Sequence, residues 1–463
     1  MSELLSLSRP FANVATAEVA SWHPERAGHD RRQLAAMTLA VRDAVLNDKR
    51  QRWVVADENA ACFLAGFLGV LATGRRVVLP QHIGRDAVLS FVDETTGVIS
   101  ASPELVESAA LNPVSLAAEA TVDPAAAAAL TIDLDTPLDM FTSGSTGDPK
   151  RISKRFRQLD AELAVLEALW GEQLGNCRVV ATVPHYHLYG LIFRLLWPFA
   201  AGRAFPELSL LEPPRIAAAC AVADATALVS SPAHLKRWPG FASLQVAKVK
   251  LPVIFSSAGP LPAETSRRLH DALDPISVWE VYGSTESGGI AWRDQGAPGF
   301  ADWHVFDGVE LGFPDGQQGR LSVRSAPCGG DWMDTGDRAE LVGKAFRLLG
   351  REDGVVKIED RRISLQEIEQ ALEALDWVSE AAVLAMDGER QTTAAALVLS
   401  AEGRRELEQL GGWRFRGALR ERLGDRFTDV VLPRRFRYLE ALPRNATGKV
   451  LQRDLQALFE RPA

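Results

Sequence analysis

The sequence predicts an α/β protein, with a large N-terminal domain of mostly parallel sheets flanked by helices and a small α+β domain at its C-terminal end. Three observations carry that expectation. Helix-like and strand-like segments alternate through the first 350 residues, as βαβ units require. Past Gly350 the pattern changes to short strands interleaved with charged helices, a unit of about a hundred residues and an ordinary domain size. The 463 residues are 47% hydrophobic and 24% charged, enough for two or three domains around a large core and without a bias toward disorder.

Each element follows from its local pattern. Ala35 to Leu46 has the spacing of an amphipathic helix, and Gln51 to Ala56 reads as a short strand. Ala61 to Leu71 has the look of a buried helix, and Arg76 to Pro80 that of a strand entering a turn. Asp123 to Leu130, with five consecutive alanines, is a short helix or connector ahead of the strand that feeds a Gly/Ser/Thr-rich loop. Beyond residue 350, Gly354–Ile358, Ala381–Met386 and Thr393–Leu399 read as strands. Ser364–Leu375, Ala401–Leu410 and Arg416–Leu423 read as helices. The boundary falls near Arg351-Glu352-Asp353-Gly354, dividing residues 1–351 from 352–463. No Pro/Ser-rich linker lies there, so it predicts a hinge rather than a tether, and no internal repeat is evident.

Composition excludes several classes. Cys62, Cys177, Cys220 and Cys328 stand far apart with no metal-ligand spacing, which predicts free, buried thiols in a reducing compartment. Met1-Ser2-Glu3-Leu4-Leu5 lacks the layout of a signal peptide. The longest apolar runs are cut by Arg75 and Arg194, so no membrane span is expected and the protein reads as soluble and cytoplasmic. Net charge is −9, yet residues 404–453 hold 13 basic against 6 acidic residues. Such a stretch is either a solvated helical face or a docking surface for something anionic, such as an acidic carrier protein or the phosphates of coenzyme A. Nucleic acid is not expected at a pI near 5.5.

The most informative segment is Phe141-Thr142-Ser143-Gly144-Ser145-Thr146-Gly147-Asp148-Pro149-Lys150. Its glycines allow close backbone approach, its four hydroxyls are neutral donors and Lys150 is positive, an ensemble suited to a polyphosphate. The same composition also makes plain surface turns. It is not a Walker loop, which would read G-x-x-x-x-G-K-[ST]. Five further segments follow in order: Val183-Pro184-His185-Tyr186-His187-Leu188-Tyr189-Gly190, Val281-Tyr282-Gly283-Ser284-Thr285-Glu286, Asp334-Thr335-Gly336-Asp337, Leu349-Gly350-Arg351-Glu352-Asp353, and Leu442-Pro443-Arg444-Asn445-Ala446-Thr447-Gly448-Lys449.

This ordered set, from about residue 140 to the end, resembles the adenylate-forming ligases: acyl- and aryl-CoA synthetases, peptide-synthetase adenylation domains and luciferase. The resemblance implies a two-step ligation. A carboxylate attacks the α-phosphorus of ATP to give an acyl-adenylate and pyrophosphate, and a thiol then takes the acyl group. It also implies a mobile C-terminal domain that rotates between the steps about a hinge at Asp353. By the same resemblance, Thr142, Ser143, Gly144, Ser145, Thr146, Gly147 and Lys150 hold the β- and γ-phosphates. Tyr282 stacks on adenine with Gly283 leaving room for the ring, Thr285 contacts the α-phosphate, and Glu286 ligates Mg2+. Asp337 accepts the ribose hydroxyls with Arg351 in support, and Lys449 stabilises the transition state of adenylation. Tyr186, His187, Ser257 and Gly259 line the acid pocket.

The segment around His187 carries no carboxylate to pair with an α-amine, which argues against an amino-acid substrate and for an aryl or acyl acid. Two departures bear on the acceptor. Asp360 stands where relatives have glycine in a loop near the incoming thiol, and only about 140 residues precede the phosphate loop. Arg151, Ile152, Ser153 and Lys154 also replace the small residues usual after Lys150. Together these features resemble the compact ligases of aryl-polyene and pigment pathways, which implies an acyl carrier protein as acceptor. Coenzyme A is the alternative, and a non-catalytic nucleotide- or adenylate-binding relative is a third reading.

Overall fold

The computed structural model describes residues 6–12, 19–107, 110–117, 123–143, 149–223, 225–236, 251–273, 276–314, 316–351, 355–358, 361–386, 392–424, 427, 431–444, 450 and 452–460. They fall into two compact units. One takes the described residues up to Glu310 together with Val323–Met333; the other takes Leu311–Ser322 and the described residues from Asp334 onward.

The first unit contains two sheets. One has the order Thr96–Ile99, Arg52–Val55, Arg76–Leu79, Pro137–Ser143, Pro149–Arg155, parallel except for the last pair. The other runs Arg178–Ala181, Thr226–Ser230, Val253–Ser256 and Ser277–Ser284 in parallel, then continues antiparallel through Gly288–Arg293 and Trp303–Val305. The predicted strands at 51–56 and 76–80 and the mostly parallel character are therefore present. The alternation predicted up to residue 350 stops at Ser284, and the chain then runs strand after strand to Arg351. Antiparallel neighbours need only a tight turn between them, so no crossover helix is required there.

Helix Arg31–Leu46 packs on helix Ala60–Leu71, which like Phe156–Leu174 lies against the strands. The first begins at a capping box in which Asp30 accepts from the Gln33 amide and the Gln33 side chain accepts in return from Asp30 N. The second is buried at all twelve positions, as its unbroken apolar sequence demands. Asn59 caps it by accepting from Ala61 N and Cys62 N, while its own amide donates to Glu207 Oε2 at 2.9 Å. Glu207 is wholly buried and also accepts from Ser21, Arg26 and His29, so one carboxylate fastens residues 21–29 to the start of a core helix. Trp170 centres the aromatic core, ringed by Phe193, Trp197, Phe255, Trp279, Trp292 and Phe306 at 5.0–6.4 Å. Each such ring contributes about 1.5–3 kcal/mol by leaving water. Three cysteines are buried as expected; Cys328 is half-exposed. None of the four is in a disulfide.

In the second unit the hairpin Met333–Val342/Ala345–Arg351 precedes the hairpin Val355–Ile358/Arg361–Ser364. A three-stranded sheet, Val378–Met386, Thr392–Leu399 and Arg435–Leu439, follows. Its strands are apolar on both faces because both are covered. Ala381, Val383, Ala395 and Leu397 face Leu365–Glu373 and Ala401–Gly424, whereas Ala382, Leu384, Ala394 and Ala396 face Gln452–Glu460. The two charged helices predicted between 401 and 423 are both present, divided at Gly411, whose φ of 74° and ψ of 154° break the helical path.

Candidate active site

In parallel α/β sheets, ligands gather beyond the carboxyl ends of the strands. In the first unit that rule collects most of the described candidate residues. Pro184–Gly190 follow the strand Arg178–Ala181, Ser257–Gly259 follow Val253–Ser256, and Tyr282–Glu286 end the strand Ser277–Ser284.

The phosphate segment is built on a β-hairpin. Thr142 pairs with Lys150 and Ser143 with Pro149, and the chain then enters the helix Phe156–Leu174 only after a full returning strand. Gly144, Ser145, Thr146 and Gly147 lie outside the described residues, as does the Ser143 side chain. Lys150 reaches across to Glu286, with Nζ 2.7 Å from Oε1. Two candidates 136 positions apart are thus brought into contact. Partial burial would raise the Glu286 carboxyl, but the bond from Lys150, its charge, and hydrogen bonds from the Glu286 N–H and Ser284 together outweigh it, and the group lies below its ordinary range.

Glu286 rides on a turn closed by serines. Ser284 N donates to Ser287 Oγ at 2.9 Å, and Ser287 N donates back to Ser284 Oγ at 3.1 Å. Tyr282 packs against Trp303, ring centroids 5.5 Å apart, and Thr285 is half-buried. The sheet register slips between Tyr282 and Gly283, where the backbone of Gly288 comes close. A Cβ on Gly283 would lie 2.2 Å from the Gly288 carbonyl oxygen, so backbone contact alone forbids a side chain there. Gly283→Ala must displace Tyr282 or the Glu286 turn. We expect at least a tenfold loss of ATP affinity by calorimetric titration, about 1.4 kcal/mol, with the far-ultraviolet spectrum unchanged.

On the acid side, His187 and Tyr186 are half-buried neighbours with ring centroids 4.7 Å apart. His187 Nε2 is buried with no hydrogen-bond partner among the described residues. Burial, aided by His82, lowers the His187 imidazole to about 4, so it is neutral at physiological pH. His185, by contrast, belongs to the core: it is 1% exposed, lies on Phe63 and shares a 2.9 Å hydrogen bond with the Asp57 carbonyl. Ser257 is buried and donates to Val281 O at 2.8 Å, bracing the strand that carries Tyr282. Gly259 is exposed with open space where a Cβ would be. Between them Ala258 sits at φ 72°, alone in this region among the described non-glycine residues.

In the second unit Asp337 stands opposite Arg351 across the hairpin. Arg351 Nη1 is 3.6 Å from Asp337 Oδ1. Asp337 is therefore a strand residue with a guanidinium beside it, and its N–H donates to Thr335 Oγ1 at 3.1 Å. Lys449 and Asp353 lie outside the described residues.

Three supporting residues escaped the sequence reading. Arg194, fully buried in the π-helical turn Leu191–Leu196, donates to Val183 O and Ser209 Oγ and so holds the start of the His187 segment. Lys154 is 5% exposed and donates to the carbonyls of Glu286 and Pro327 at 2.8 and 2.9 Å. Glu162, also buried, accepts from Gly289 N at 3.0 Å. Only the departure at Lys154 was visible in the sequence, since charged residues ordinarily signal surface.

The fold and the family match together define an adenylate-forming acid–thiol ligase. The chain belongs to the AMP-binding enzyme family: the model of that family matches residues 33–327, and the model of the AMP-binding enzyme C-terminal domain matches residues 367–449. It is 28% identical to a 4-coumarate–CoA ligase of Cereibacter sphaeroides, over 67% of this chain and 69% of that protein. It is 30% identical to a 4-coumarate–CoA ligase of Rhodobacter capsulatus, over 68% of this chain and 74% of that protein. ATP-bound MatB from Rhodopseudomonas palustris has the same fold, with a TM-score of 0.76 at 19% identity over 98% of this chain and 99% of that one.

Proposed function

We propose that this enzyme activates an aryl or acyl carboxylic acid with ATP and passes it to a thiol. The observation that carries the reading is the Lys150–Glu286 contact, which joins the phosphate hairpin to the turn after Tyr282. In the first step a carboxylate oxygen of the acid bonds to the α-phosphorus and the bond to pyrophosphate breaks. In the second the thiol sulfur attacks the acyl carbon and AMP leaves. Phosphoryl transfer asks for alignment and charge neutralisation more than covalent help. Lys150 and the hydroxyls of Thr142, Ser143 and Thr146 serve the leaving pyrophosphate, Thr285 the α-phosphate, and Tyr282 the adenine. Asp337 takes the ribose hydroxyls with Arg351 beside it, and Lys449 steadies the α-phosphate and the attacking carboxylate.

Mg2+ suits the donors present. Glu286 offers a hard carboxylate oxygen held in its ionised form, and this ion is commonly bound by one or two carboxylates together with substrate phosphates. Glu286 would hold the ion, which neutralises phosphate charge when bound. His187, neutral and with Nε2 turned into buried space, gives the acid pocket a polar edge beside the Tyr186 ring. Residues 352–463 act as the lid that carries Lys449, turning near Asp353.

The named relatives are coenzyme A ligases, which favours coenzyme A as the thiol. Asp360 in place of glycine and the basic stretch 404–453 favour an acyl carrier protein. ATP-dependent pyrophosphate release across a panel of aryl and fatty acids, with hydroxylamine to capture the adenylate, tests the first step. A clear hit fixes the acid class, and the two thiols are then compared directly. Silence across the panel with ATP still bound would overturn the catalytic reading.

A further inference from the structure

We propose that Lys154 and Glu162 are positioning residues for the nucleotide step, acting through Glu286. The proposal rests on the role given to Glu286 above. The strand Pro149–Arg155 alternates, so Lys150, Ile152 and Lys154 share one face. Both lysines end on the same residue: Lys150 Nζ meets the Glu286 carboxylate at 2.7 Å, and Lys154 Nζ meets its backbone carbonyl at 2.8 Å. One strand thus grips Glu286 at its side chain and at its main chain.

The other side of the turn is held from the following helix. Glu162 Oε1 accepts from Gly289 N at 3.0 Å. Gly288 lies at φ 69°, where a Cβ would come within 2.6 Å of Pro327 Cβ and 2.8 Å of Glu162 Oε2. Pro327 O accepts from both Lys154 and Gln158, so the same lysine ties the turn to a third segment. Ser284 and Ser287 already close this turn by themselves, and closure does not call for two buried charges. Burial disfavours the charged form of both groups; their mutual attraction opposes it, with Cys328 and Glu286 also favouring the charged lysine and the Gly289 N–H the carboxylate, an arrangement that is weak as a source of stability. What the pair supplies is direction. It fixes the carbonyl of residue 286 and the N–H of residue 289, and hence where the Glu286 carboxylate points.

The test is calorimetric titration of ATP with Mg2+, with unfolding temperatures measured beside it. Lys154→Met and the double variant Lys154→Met/Glu162→Gln, which leaves no unpaired buried charge, are each placed in the native and Glu286→Gln backgrounds. We expect about tenfold weaker ATP binding in the native background. In the Glu286→Gln background the further loss should stay within about twofold, as coupled residues behave. Gln158→Ala removes the other donor to Pro327 while leaving Glu286 bonded, and should keep affinity within about twofold. A folded double variant with native affinity overturns the proposal. So does an equal loss in both backgrounds, which would mean a general loosening. If Glu286→Gln itself leaves the Mg2+ dependence untouched, the role of Glu286 fails, and the proposal fails with it.

Discussion

Lys449→Ala is expected to abolish acyl-adenylate formation while leaving ATP binding intact. A single preorganised cation at the reacting phosphate is worth about 10²–10³ in rate, and lysine supplies it as a compact point charge. Lys449 closes the segment matched by the C-terminal domain model, which ends at residue 449. Pyrophosphate release should therefore fall to background, whereas calorimetric titration of ATP should change little. Equal loss of binding and rate would show that the lysine holds the ground state, and the transition-state role would be wrong. Transfer from chemically supplied acyl-adenylate to the thiol separates the half-reactions, and that step should survive the substitution.

Glu207→Ala is expected to have the largest effect on folding. Ser21, Arg26, His29 and Asn59 all donate to this one buried carboxylate. Its removal strands several donors and releases the cap of the helix Ala60–Leu71, at a cost on the order of 3 kcal/mol. The pH dependence has a definite sign. Burial alone would raise the Glu207 carboxyl, but the hydrogen bonds from His29, Ser21 and Asn59 prevail and bring it down to about 2. A carboxyl depressed in the folded state stabilises above its unfolded value near 4.5, and that contribution is lost as pH falls toward 2. Denaturant titrations from pH 7 to pH 3 should show the native chain losing stability across this window. The alanine variant starts lower and loses less. Parallel declines would refute the assignment.

The elements legible in the sequence are those whose signal is local. The helix ending at Leu46, read from Ala35 although it starts at Arg31 behind the Asp30 cap, the wholly apolar helix ending at Leu71 and the two helices parted at Gly411 each follow from a few adjacent residues. Composition pointed to Lys150 and its Gly/Ser/Thr-rich loop, and the ordered motifs pointed to Tyr282 and Glu286 through their resemblance to the adenylate-forming ligases. Contacts between distant positions were not legible. Nothing near Lys150 announces Glu286, and the returning strand Pro149–Arg155 looks like any polar stretch. Buried charge misleads most. Arg194 seemed only to interrupt an apolar run, yet it lies in the core and donates to three oxygen acceptors. Of the two histidines in Pro184–Gly190, one faces Phe63 and one does not, a distinction made by a neighbour from the distant helix Ala60–Leu71.

That the phosphate segment returns as a strand instead of opening a helix has a consequence for turnover. Anion sites at helix ends draw on partial charges locked into the backbone, which hold product as firmly as substrate. In the proposed function the positive charge offered to pyrophosphate sits on the flexible stem of Lys150, and Glu286 competes for it at 2.7 Å. Once pyrophosphate forms, the lysine can return to the carboxylate, so letting go of the product is helped by a contact the protein makes with itself.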